Sequence, residues 1–118
     1  MNAGLIIAGD LASDPQCAAV IEQLRLRKAP CVVLQQAVSA KLLLATLRSL
    51  AVDPARSWLT TRDPAAIAAA STAGMLGVVV VGSGIDSEDT VLVRHVPDLV
   101  SVPIAMVPRG GGCWHDAG

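Results

Sequence analysis

Lys41–Gly82 reads KLLLATLRSLAVDPARSWLTTRDPAAIAAASTAGMLGVVVVG, and its pattern is helix, turn, strand, helix, strand. Leu43, Leu44, Leu47 and Leu50 recur at helical spacing and predict one apolar face. Val52-Asp53-Pro54 ends that helix, because proline disfavours helical geometry in the residue before it. A short strand is expected at Ser57–Thr60. Asp63-Pro64 then opens a second helix, with Asp63 as N-cap and Pro64 at the first helical position. That helix is almost all alanine and stops at Gly74, a residue suited to the left-handed C-cap. Gly77–Val81 is an uninterrupted apolar run, as expected of a strand buried on both faces. Alanine on the helix lets it lie close to the sheet. The unit is therefore βαβ, which requires a parallel sheet and a right-handed crossover.

Working outward from that unit, Leu5–Ala8 reads as a first buried strand ending at Gly9-Asp10. Ser13 followed by Gln16 has the spacing of a capping box, and Cys17, Val20, Ile21 and Leu24 make the inward stripe of the helix it would start. Arg25, Arg27 and Lys28 complement the dipole at its end. Cys31–Leu34 is the second strand, and Ser39 is the expected cap of the leucine helix. After Gly82 the loop is acidic. Thr90–Arg94 reads as a fifth strand, Pro97–Val100 as a helical turn and Ile104–Val107 as a further edge strand or extended segment. Residues 1–108 form one α/β domain and 109–118 a glycine-rich tail. Five strands joined by helices on both faces give a three-layer, doubly wound, mostly parallel sheet, with order 2-1-3-4-5 as the natural choice. Ligands in such sheets sit beyond the carboxyl ends of the strands, where the order reverses. Here that point falls between strands one and three, near Asp10, Gln35, Gln36, Thr60, Thr61, Arg62 and Asp63.

Composition narrows the function classes. Of 118 residues, 53% are hydrophobic and 16% charged, with 2% aromatic and no Phe or Tyr. The core must be built from Val, Leu, Ile and Ala. A net charge of -1 gives no electrostatic case for nucleic acid or an anionic membrane, and stacking platforms for bases are nearly absent. Cys17 and Cys31 fall within apolar patterns and read as small buried hydrophobes; nothing suggests a disulfide framework. The start, MNAGLIIAGD, lacks the basic region of a signal peptide, and no apolar run reaches transmembrane length. The expectation is a cytoplasmic protein. In the tail, Cys113-Trp114-His115-Asp116 offers too few ligands for a zinc site even with His95 nearby. Gly82-Ser83-Gly84 lacks the lysine and helix that a phosphate loop requires.

LIIAGDLAS (Leu5–Ser13) resembles the first motif of the haloacid dehalogenase-like phosphatases. So does the segment from Lys41 through DPARSWLTTRDPAAIAAASTAGMLGVVVV, in which a lysine opens a helix and an alanine-rich helix closes on Ala-Gly-Met before a valine-rich strand. The likeness covers residues 5–100 and is most specific from Lys41 to Val81. It implies a Rossmannoid core without a cap insertion. It also implies a nucleophilic aspartate at Ala8, an acid/base at Asp10, a phosphate-holding hydroxyl near Gln35 and the charge-neutralising lysine at Lys41. The acidic pair that holds magnesium falls on Arg62 and Ala66, or on Asp63 with a one-residue shift. Alanine cannot form a phospho-aspartyl intermediate. Only Asp10 and Asp63 remain as oxygen donors for magnesium, and Arg62 stands ready to pair with Asp10 in the metal's place. Each residue also has a plainer reading: Asp10 as a turn residue, Lys41 as a solvated first-turn lysine, Asp63 as an N-cap.

The expectation is thus an inactive haloacid dehalogenase-like module with no cofactor, acting by contact with a protein partner or as a homo-oligomer. The apolar run from Val100 to Val107 is a candidate docking edge. The alternative is a divergent, magnesium-dependent phosphomonoester hydrolase using Asp10. A response-regulator-like receiver shares the strand order, but its acidic pair after strand one is reduced to Asp10, strand three ends in threonines, and His95-Val96-Pro97 replaces the lysine after strand five.

Overall fold

The computed structural model describes residues 4–88 and 91–106, apart from the side chains of residues 87, 88 and 104. Five strands run parallel: β1 (Leu5–Ile7), β2 (Cys31–Val33), β3 (Trp58–Thr61), β4 (Gly77–Val81) and, after the two-residue β5 (Ser87–Glu88), β6 (Leu92–Val96). The sheet order is β2-β1-β3-β4-β6-β5, and β5 pairs antiparallel with β6 at the edge. The five parallel strands therefore take the expected 2-1-3-4-5 order. β1, β3 and β4 are buried along their whole length, as the absence of polar alternation in their sequences requires.

Helices α1 (Cys17–Leu26), α2 (Ala40–Leu50), α3 (Ala66–Thr72) and α4 (Val102–Ala105) cover the two faces. Strand side chains alternate between them. On one face Ile6, Leu59, Val78 and Val80 meet Leu43 and Leu47 of α2 and Ala66 and Ala70 of α3. On the other, Leu5, Ile7, Trp58 and Val79 meet Val20 and Leu24 of α1 and Val102 beside Met106. Ala66 and Ala70 are the buried residues of α3. α2 is capped as expected, Ser39 Oγ accepting from Leu42 N at 3.2 Å. Its apolar stripe is narrower than the leucine spacing suggests: Leu43 and Leu47 are buried, whereas Leu44 is 39% exposed. α3 closes at Gly74, whose φ of 76° is the left-handed conformation that glycine adopts without steric cost.

Several elements differ from expectation. α1 begins at Cys17 rather than Ser13, because a 3₁₀ turn at Gly9–Leu11 and an Asp14-Pro15 turn occupy the connection. The Ser13–Gln16 capping box is replaced by Asp14 Oδ1, which accepts from Gln16 N at 2.8 Å. The Gln16 side chain reaches the far end of the chain instead, Oε1 accepting from Val100 N at 3.1 Å. α3 begins at Ala66 rather than Pro64, since Asp63 Oδ1 accepts from Ala65 N at 3.0 Å and closes a turn ahead of the helix. The segment expected as an edge strand at Ile104–Val107 is α4 as far as it is described. Within that run Val102 and Met106 are 0% exposed and pack into the core against α1 and β4; the side chain of Ile104 and all of Val107 lie outside the described residues. The fifth parallel strand also sits later than Thr90–Arg94, at β6. The loop after β4 is tied to it by His95 N donating to Asp86 Oδ1 at 2.7 Å. Thr90, Val107 and the tail with Cys113, Trp114 and His115 lie outside the described residues. Among the described residues no helix is long and apolar enough to cross a membrane.

Candidate functional site

Beyond the carboxyl ends of β1, β2 and β3 lies a cleft of about 450 Å³. It opens where strand order reverses, the place where doubly wound sheets take ligands. Ala8, Asp10, Gln35, Gln36, Thr61 and Asp63 are among its lining residues. Five of these were legible as candidates from topology; the sixth, Ala8, is the residue that the resemblance sets at the nucleophile position. Thr60 is not in the cleft: it is 0% exposed, and its Oγ1 donates to the Val79 carbonyl at 2.9 Å inside the sheet.

Asp10 is held by the end of β3. Its Oδ2 accepts from Thr61 Oγ1 at 3.0 Å and from Arg62 N at 2.9 Å. Thr61 Oγ1 in turn accepts from Asp63 N at 3.0 Å. One hydroxyl thus links the loop after β1 to the turn that opens α3. The ion pair expected between Arg62 and Asp10 is not formed. The guanidinium reaches Asp14 instead, Nη2 lying 2.6 Å from Oδ2, and Asp10 receives the backbone N–H of Arg62. Asp14 was not anticipated at the site, although the signal was present. Asp14-Pro15, Asp53-Pro54 and Asp63-Pro64 all place a carboxylate before proline, and each one accepts from the N–H two residues on. This is the local turn that aspartate favours. Lys41 lies in the first turn of α2, exposed, and is not among the cleft residues.

The resemblance drawn from the sequence implies a magnesium ion at this cleft. Magnesium requires near-octahedral oxygen coordination, commonly anchored by carboxylates. At the strand end stands the Ala8 methyl, 2% exposed, and Ala66 is likewise buried at the start of α3. Asp10 and Asp63 each already have one carboxylate oxygen bound to backbone N–H groups. Among the described residues no group of three or more His, Cys, Asp or Glu could hold a metal. Asp10 and Asp63 are thus the two carboxylates of the cleft, and Ala8 and Ala66 stand where the resemblance sets further acids.

Both described cysteines are distant from this chemistry in character. Burial, and secondarily Cys17, pushes the Cys31 thiol up to about 12. Burial, with Asp14 adding to it, raises Cys17 as well. Neither thiol is an activated nucleophile. No family model, curated protein or solved structure matches this chain.

Proposed function

We propose that this chain is a non-catalytic, haloacid dehalogenase-like α/β module that works by protein contact, as a scaffold, regulator or oligomerising subunit. The observation that carries the reading is the bonding of Asp10. A general acid or base must present its carboxyl group to the reacting atoms. Asp10 Oδ2 clasps Thr61 Oγ1 and Arg62 N, which gives the residue a role in holding two loops together and leaves Oδ1 as its one oxygen free of internal bonds among the described residues. Ala8 supports the same reading, because a methyl group at the strand end supplies no nucleophile. What remains is a stable sheet scaffold with loops fixed at one edge.

The test is hydrolysis of p-nitrophenyl phosphate by the pure protein with and without magnesium, followed by light scattering on a sizing column. The reading expects no turnover above buffer and a mass above that of one chain, alone or with a co-purifying protein. Robust magnesium-dependent turnover that disappears in Asp10→Ala would establish the divergent hydrolase instead.

A further inference from the structure

We propose that the cleft at the ends of β1, β2 and β3 binds a small organic cation, a primary ammonium or guanidinium group on an alkyl stem, and rejects phosphate. Its volume of about 450 Å³ lies within the range of small-molecule sites. Its polar walls come from the ends of three strands: Asp10 after β1, Gln35 and Gln36 after β2, and Thr61 at the end of β3 with Asp63 beyond it. The internal bonding of these walls leaves acceptors over. Asp10 uses Oδ2 for both its donors. Asp63 uses Oδ1 for Ala65 N. Oδ1 of Asp10 and Oδ2 of Asp63 have no hydrogen bond among the described residues. The two glutamine carboxamides add oxygens that accept from a cation.

The cations that would reverse this charge are placed elsewhere. Arg62 sits between Thr61 and Asp63 in sequence, yet its guanidinium turns out of the cleft to Asp14 at 2.6 Å. Lys41 does not line the cleft, and neither does any other Lys, Arg or His among the described residues. Two exposed carboxylates at one concave opening attract cations and repel anions, an effect that salt screens. Ala8, Val38 and Ala66 give the cleft an apolar part on which an alkyl stem can lie while its charged head stays at the polar walls.

This site does not depend on whether the module works by contact. Amide cross-peaks of the full chain are followed by two-dimensional NMR while putrescine, N-acetylargininamide, inorganic phosphate or sorbitol is added at millimolar concentration. Putrescine stands for a free polyamine and N-acetylargininamide for a side chain of a partner protein. The expected result is a saturable shift at Gly9, Asp10, Gln36 and Asp63 with at least one of the two cations, the tighter one naming the source. Binding should weaken as NaCl is raised. Asp63→Asn keeps an oxygen for Ala65 N but removes the charge, and should weaken binding about tenfold, the loss of one charge-assisted hydrogen bond. Phosphate or sorbitol moving the same amides as strongly would overturn the proposal. So would no saturable shift with either cation, or an Asp63→Asn protein that binds as tightly as the parent. Phosphomonoester turnover, by contrast, would refute the contact reading and leave the cation titration to be judged separately.

Discussion

Replacing Asp10 separates a structural clasp from a catalytic remnant by the sign of its effect on stability. In Asp10→Ala the buried Thr61 hydroxyl, whose residue is 1% exposed, loses the acceptor for its proton, and Arg62 N loses its partner. A hydrogen bond to a charged acceptor contributes about 1.5–3 kcal/mol when sheltered from water. Asp10 is itself exposed, and solvent screening reduces each bond to about 1 kcal/mol. The expected loss is therefore about 2 kcal/mol. For a domain of this size each kcal/mol moves the melting temperature by about 4 °C, so Asp10→Ala should melt about 8 °C lower. Asp10→Asn retains a carbonyl oxygen for both donors and should lose about half as much. Circular dichroism melts, checked by urea titration, read both values. Residues kept for chemistry tend to be neutral or stabilising to remove, because active sites trade stability for function. An Asp10→Ala protein that melts within about 2 °C of the parent, or above it, would refute the clasp.

Two further substitutions and conditions test the core. A Cβ at Gly77 would lie 2.5 Å from Trp58 Cζ3 and 2.6 Å from the Leu92 carbonyl oxygen; the carbonyl belongs to the paired strand β6 and cannot yield without breaking the ladder. Gly77→Ala should lower stability by about 1–3 kcal/mol, read as a lower urea midpoint with unchanged slope. Cys31 has a folded-state pKa raised from 9.0 to about 12, so the fold favours its protonated form. That stability is present in full below pH 9.0 and is lost as pH rises from there towards 12, because the unfolded thiol ionises first. Urea midpoints should fall over this window in the parent and fall less in Cys31→Ala, and alkylation of Cys31 at pH 8, located by peptide mapping, should be slow until the chain is unfolded.

The β3–α3–β4 unit could be read because every local cue agreed: a continuous valine run, alanines at the contact, glycine at the helix end. Agreement of that kind specifies a fold strongly. The misplaced starts of α1 and α3 share one cause. Asp-Pro reads equally as an N-cap followed by the first helical residue or as a separate turn, and in both Asp14-Pro15 and Asp63-Pro64 the carboxylate closes the turn first. The last helix was missed for a different reason. Leu99 to Met106 is a short apolar run, and periodicity alone cannot tell a buried strand from a buried helix over so few residues. The deciding signal was a polar one: Asp98 Oδ1 accepts from both the N–H and the hydroxyl of Ser101, at 3.2 and 2.6 Å. It caps the 3₁₀ turn that leads into α4, and Pro103 is tolerated there because it sits within the first turn.

The site was half legible for a reason that also fixes its charge. Strand order alone places Asp10, Gln35, Gln36, Thr61 and Asp63 around one opening. It does not choose which of two acids in the same loop receives Arg62. That choice depends on the 3₁₀ turn at Gly9–Leu11, which sets Asp10 against the backbone of β3's end and leaves Asp14, 9% exposed at its side chain, to meet the guanidinium. An Arg62–Asp10 pair would have placed a positive group at the mouth of the cleft and left it close to neutral. Because the arginine pairs with Asp14, Asp10 and Asp63 face the cleft without a cation between them, and the same geometry that withdraws the substitute for a metal makes the cleft unfavourable for a phosphate.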